Sequence, residues 1–180
     1  VPIIDIYIIS SMTSVTVTKE TASTVDKSRV SKPTIELATL ADWKAKAEPL
    51  FQEHYEEIAR NKDLMKLNVN WPLYEELNDR QKLFVYLAMR DNVCIGYSLN
   101  IVTSHLHYAD LMYSVNDVLF VKKEFRGGRL GLQLIKVTED HARSLGCKML
   151  LWHAKENTAL EKLLPKLKYG VQEIMYSKDL

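Results

Sequence analysis

The sequence predicts a mixed α+β domain: a central, mostly antiparallel sheet flanked by helices on both faces. Three observations carry this. Residues 83–121 read as three strand-like runs joined by short turns, a meander. Segments 41–62 and 131–146 repeat apolar residues at helical spacing. Between the meander and the second of these helices, a Gly/Arg-rich turn at 124–131 joins strand directly to helix, and a buried-type strand follows.

The elements follow in order. TIELAT (34–39) alternates like a strand. Residues 41–62 form a helix whose stripe is Trp43, Ala47, Leu50, Phe51, His54, Tyr55 and Ile58; Asp42 is its expected cap, and Pro49 is expected to kink or split it. A loop (63–70) leads to a short helix near 71–81. The strands 83–90 and 93–104 flank Asp91-Asn92, which is turn chemistry. The connection 105–110 leads to the strand 111–121. After the turn come a helix at 131–146 closed by Gly146, a strand at 148–154, a helix at 156–168 and a last strand at 171–178.

Composition bounds the function. The 180 residues suit one domain with a tail, and 47% hydrophobic with 26% charged residues is an ordinary globular mix. Lys+Arg 24 against Asp+Glu 23 leaves a net charge of +1, so no basic excess points to nucleic acid. No run reaches the roughly 18 apolar residues of a membrane span, so no membrane partner is expected. Cys94 and Cys147 lie in strand-like runs and read as reduced thiols of a cytoplasmic protein. The opening VPIIDIYIIS is short, lacks a basic start and holds Asp5, unlike a signal peptide. Met12 reads as a natural start, with residues 1–11 vector-derived or from upstream translation. Residues 1–33 are expected to be a flexible leader before a domain at 34–180, the rival being that 3–9 or 13–18 add a strand to a sheet edge.

The most informative segment is Leu119-Phe120-Val121 running into Arg126-Gly127-Gly128-Arg129-Leu130-Gly131. Amides at a helix start have no intrahelical partner, and the helix dipole adds positive charge there. Glycines let the backbone approach a ligand, and Arg126 and Arg129, with Lys122 and Lys123 nearby, can pair with phosphates. The spacing matches neither the dinucleotide nor the P-loop fingerprint. A merely flexible basic turn is the structural alternative.

A strand with L-x-V, then R-G-x-G-x-G opening a helix, resembles the acyl-CoA pyrophosphate signature of the GNAT N-acetyltransferases. This chain departs from it at Arg129, usually Gly in the family. The stretch 105–135 is also similar to GNAT-type proteins associated with bacteriophages, which would place the protein in host cytoplasm. The resemblance covers roughly 34–180 and implies the GNAT fold, acetyl-CoA as cofactor, and acetyl transfer to an amine of a small molecule or protein. It implies that Leu119, Phe120 and Val121 hold the pantetheine arm, through the backbone of Leu119 and Val121. Arg126, Gly127, Gly128, Arg129, Leu130, Gly131 and Leu132 would cradle the pyrophosphate. Asn157 matches the first position of a late family motif and would contact pantetheine, or else cap a helix. Leu164 stands where the family often has a catalytic Tyr, so that general-acid role does not transfer.

Amine acetylation needs a base, since a substrate ammonium must lose a proton. Asp117 is the first choice: strict alternation puts it on one face with Leu111, Val115 and Leu119, where desolvation would raise its pKa. The alternative is an exposed carboxylate. Asn116 faces the other way and could orient a loop. His105 and His107 are further candidate bases or a proton relay, and Tyr108 and Tyr113 candidate acids. With no third ligand in sight, no metal is expected. Glu53 and His54 are candidate substrate contacts, His54 alternatively a satisfied core residue. The second reading is a non-catalytic CoA-binding or protein-interaction module on the same fold. Any oligomer is expected to be a homodimer.

Overall fold

The computed structural model describes residues 31–180; the expectations for the leader and for strands within 1–30 lie outside them. Five strands form one sheet in the order β1-β2-β3-β4-β5: β1 (Thr34–Ala38), β2 (Leu83–Arg90), β3 (Val93–Ser104), β4 (Met112–Val121) and β5 (Met149–Trp152). The first four pair antiparallel in sequence order, and β5 joins β4 in parallel. At the β2–β3 turn Asp91 and Asn92 take φ of 51° and 63°, the left-handed pair that suits a tight hairpin.

Helix α1 (Leu40–Ile58) covers one face of the sheet. Its cap is Thr39, not Asp42: the Thr39 hydroxyl accepts the Asp42 N–H at 3.0 Å and donates to the Asp42 carboxylate at 2.7 Å. The helix runs through Pro49 without splitting and ends four residues before Lys62. Trp43, Leu50 and Phe51 pack on Leu87, Tyr97, Leu99 and Phe120 of the sheet. Helix α2 (Trp71–Asp79), capped by Asn70, lies beside α1. Helix α3 (Leu130–Ser144) covers the opposite face, where Leu130 and Leu134 meet Ala88, Ile95 and Val121. It closes on Gly146, whose φ of 84° is the left-handed conformation that ends helices.

The last third corrects the sequence reading. The helix expected at 156–168 is a single turn, α4 (Ala159–Leu163), followed by a 3-10 turn at Leu164–Leu167 that Pro165 opens. No strand forms at 171–178: this segment has no regular structure, and Val171, Ile174, Met175 and Tyr176 are exposed. Strand propensity needs an available edge to pair with, and alternation alone does not supply one. No helix among the described residues is long and apolar enough to cross a membrane.

Candidate active site

Two irregularities in β4 create the site. The first is a bulge. Leu99 of β3 pairs with Val118 and Asn100 with Asn116, which leaves Asp117 without a partner. The extra residue resets the alternation. Asn116 points toward α3, Val118 and Phe120 pack with the α1 cluster, and Leu119 and Val121 pack with the α3 cluster. Strict alternation therefore fails for Asp117. It does not share a face with Leu119, and its carboxylate is exposed and accepts the Tyr74 hydroxyl of α2, where desolvation among apolar side chains was expected.

A buried polar cluster braces the bulge. The two Nδ2 protons of Asn116, which is only 2% exposed, are shared among Asn100 Oδ1 (2.9 Å), Ser98 Oγ, Leu99 O and Val118 O (each 3.2 Å). Ser98 in turn meets Thr138 of α3 at 3.1 Å. Buried polar atoms need partners, and Asn116 supplies them where the ladder is disrupted. Its role here is to hold the backbone, with no opening toward the cavity described below.

The second irregularity is a parting of strands. β5 pairs with β4 only from Tyr113 to Asn116, so among the described residues β4 runs on from Asp117 to Val121 without a neighbouring strand on that side. Lys122 donates its N–H to Ile95 of β3 at 2.9 Å. By antiparallel alternation Val118 and Phe120 also bond to β3, and Leu119 and Val121 direct their main-chain groups to the open edge. The Val121 carbonyl there accepts Arg126 Nε at 2.6 Å.

Beyond the open edge lies the start of α3. Gly127 has φ of 83°, and a Cβ added at Gly127, Gly128 or Gly131 would meet nothing within 4 Å among the described residues, so this turn is open on that side. Arg129 precedes α3 without a side-chain cap, and the first helical bond is Gln133 N–H to Arg129 O at 2.9 Å. The amides of Leu130, Gly131 and Leu132 thereby have no partner among the described residues, with the buried Leu130 side chain anchoring them. Arg126 is otherwise engaged: it grips Glu57 of α1 through two bonds of 2.6 and 2.7 Å, and this guanidinium holds the Glu57 carboxyl below its usual range. Free amides, a glycine surface and an unpaired strand edge fit a diphosphate with a polyamide arm.

On the α1 face the bulge opens into a cavity of about 430 Å³ among α1, the 59–70 connection, α2 and strands β3 and β4. Trp43, Phe51, His54, Tyr74, Tyr97 and Asp117 are among its lining. Burial, then the bond to Asp117, raises the Tyr74 phenol above its ordinary pKa, so it stays protonated and donates. His54 is buried, its Nδ1 lies 2.8 Å from the Tyr97 hydroxyl, and it stacks on Phe120 at 4.8 Å. Desolvation pushes its pKa down to about 4, so the ring is neutral at pH 7.

The other sequence candidates lie elsewhere. Glu53 is exposed and outside the cavity lining. His105, His107 and Tyr108 sit in the β3–β4 connection, where the His107 N–H donates to His105 Nδ1 at 3.1 Å and His105 packs on Tyr108 at 4.6 Å. Met112, where β4 begins, precedes Asp117 by five residues, roughly 16 Å of strand, and none of the three lines the cavity. Tyr113 also lies outside that lining. Asn157 is exposed with φ of 63°; Thr158, not Asn157, caps α4 by accepting the Glu161 N–H at 3.3 Å. Sequence reasoning missed Tyr74 and Tyr97, whose only signal was their place among apolar residues.

Known proteins share this fold. The fold matches a ribosomal-protein-alanine N-acetyltransferase from Brucella melitensis biovar Abortus 2308, with a TM-score of 0.63 at 19% identity, covering 83% of this chain and 99% of that one. It also matches an aminoglycoside acetyltransferase from an uncultured soil metagenomic sample in complex with sisomicin (TM-score 0.64, 14% identity, 82% and 96% covered). A third match is an aminoglycoside N-acetyltransferase in complex with CoA (TM-score 0.57, 20% identity, 82% and 100% covered). At these identities the likeness is one of fold. A search of curated proteins returns no match. Residues 38–169 match the acetyltransferase (GNAT) family, and the chain belongs to that family, whose acyl donor is acetyl-CoA.

Proposed function

We propose that the protein is an acetyl-CoA-dependent N-acetyltransferase acting on an amine of a small molecule. The observation that carries this is the bulge at Asp117. There the unpaired edge of β4, which leads to the free amides of α3, meets the aromatic cavity on the other side of the strand.

On this reading the N–H groups of Leu119 and Val121 hold the pantetheine arm as an added strand, and the amides of Gly127–Leu132 hold the diphosphate. Acetyl-CoA, when bound, supplies a thioester activated for transfer. Arg126 links α1 to the turn through Glu57 and steadies both walls. Asp117 receives the acceptor's ammonium at the cavity mouth. Only about one part in a thousand of an ordinary primary amine is neutral at pH 7. Asp117 orients that nitrogen and passes its proton to water. Tyr74, kept protonated, donates its hydroxyl to Asp117 and fixes the carboxylate. The bulge amides are the preorganised donors for negative charge that develops at the reacting carbonyl.

The resemblance of 105–135 to bacteriophage-borne members, together with the free thiols Cys94 and Cys147, supports action in a host cytoplasm. The second reading, a non-catalytic CoA-binding module, is favoured by one observation: Leu164 is buried and apolar where the family motif carries a Tyr. Thiol release from acetyl-CoA with an amine panel separates the two. The enzyme releases thiol only with acceptor present, and Asp117→Ala lowers the rate at least tenfold. CoA binding without turnover would leave the module.

A further inference from the structure

We infer that the acceptor is a monoamine with an apolar, aromatic-sized body, docked in the cavity with its single ammonium at Asp117. This rests on the acetyltransferase reading above and names its substrate class.

The cavity walls are the first argument. Trp43 lies at the centre of an aromatic nest, 4.8 Å from Phe51, 5.4 Å from Tyr74 and 5.9 Å from Tyr97 between ring centroids. Leu77 and Ile101 complete an apolar lining. Such a surface rewards a ring or branched alkyl group that leaves water and offers few partners to a many-hydroxyl sugar, whose polar groups would be stripped of water without replacement.

Charge is the second. Among the described residues Asp117 is the one carboxylate in the lining, whereas Lys66 and Lys155 are two ammonium groups. One acceptor cation has a partner at the bulge. A second or third would face lysines, so a polyamine or aminoglycoside meets repulsion where a monoamine meets none. Size agrees: about 430 Å³ accommodates one small molecule.

The transfer balances. The amine nitrogen bonds to the acetyl carbon as the carbon–sulfur bond breaks. Of the two protons the ammonium loses, one ends on the leaving thiol and one goes to solvent, giving a neutral amide, CoA thiol and one released proton.

The test measures kcat/KM of the full chain with acetyl-CoA for 2-phenylethylamine, spermidine, kanamycin and an alanine-ended hexapeptide, alongside calorimetry with CoA. The expected result is 2-phenylethylamine at least tenfold above each of the others. A variant sharpens this. Leu73 lines the cavity and is 49% exposed, so Leu73→Glu adds a carboxylate without disturbing the core, and spermidine should gain at least threefold relative to 2-phenylethylamine. If spermidine, kanamycin or the peptide is the best substrate, the inference falls while the acetyltransferase reading stands. If CoA binds and no amine is turned over, both fall.

Discussion

The two sides of β4 are built from different material. Toward α1, the cavity is a set of side chains: Trp43, Phe51, Tyr74 and Tyr97 touch ring to ring, and their identities set its shape. Toward α3, the candidate coenzyme site is almost all main chain: an unpaired strand edge and helix-start amides exposed by three glycines. A surface of backbone amides recognises what many acyl donors share, the diphosphate and the polyamide arm, and tolerates most sequence drift. A surface of side chains discriminates, and changes its preference with each substitution. The bulge at Asp117 is where the two meet, held from below by Asn116.

Three changes test that contrast. Asn116→Leu strikes the shared brace. It leaves Asn100 Oδ1 and the Leu99 and Val118 carbonyls without their side-chain donor. The loss of stability is expected to be on the order of 4 kcal/mol, read from urea unfolding. Both functions should suffer, turnover more than CoA affinity, and a variant of wild-type stability would show that the bulge stands without its brace.

The aromatic side alone is tested by pH. An unfolded imidazole takes its proton near 6.5, while His54 in the folded protein takes one only near 4. Between these values the unfolded state binds the extra proton, so this contribution is complete above pH 6.5 and fades as pH falls toward 4. It amounts to about 3 kcal/mol. The stability difference between wild type and His54→Gln should shrink by that amount from pH 7 to pH 4, and a difference independent of pH would mean that the ring is solvated.

The smallest effect belongs to the amide side. Gly131→Asp enters open space at a helix start, where a carboxylate is compatible with the dipole, so stability should change by under about 0.5 kcal/mol. The same carboxylate competes for the amides and repels a diphosphate. CoA affinity by calorimetry should drop at least tenfold, about 1.4 kcal/mol. Unchanged affinity would move the diphosphate away from this turn.

Much of this frame can be read along the chain. The meander shows in the alternation of 83–121, and the Asp91-Asn92 hairpin and Gly146 stop show in their residue types. The strand-to-helix turn at 126–131 is visible because glycines and a missing cap are local properties. The site is less legible. Alternation misassigned Asp117, because a single unpaired residue inverts every face after it. Tyr74 reaches Asp117 across 43 residues, and nothing near either announces the other. The histidines at 105 and 107 looked catalytic by type, yet the length of β4 separates them from the bulge.

Sequence alone therefore settled what depends on a few neighbouring residues: most element types, the Asp91-Asn92 turn, the Gly146 stop and the glycine-rich helix start, each the outcome of local sterics and hydrogen bonding. Tertiary structure decided where β4 slips by one, where β5 leaves it, and that 171–178 finds no strand partner among the described residues. Those outcomes turn on which distant surfaces pack together, and the energies that choose between registers are spread over contacts that no local window contains.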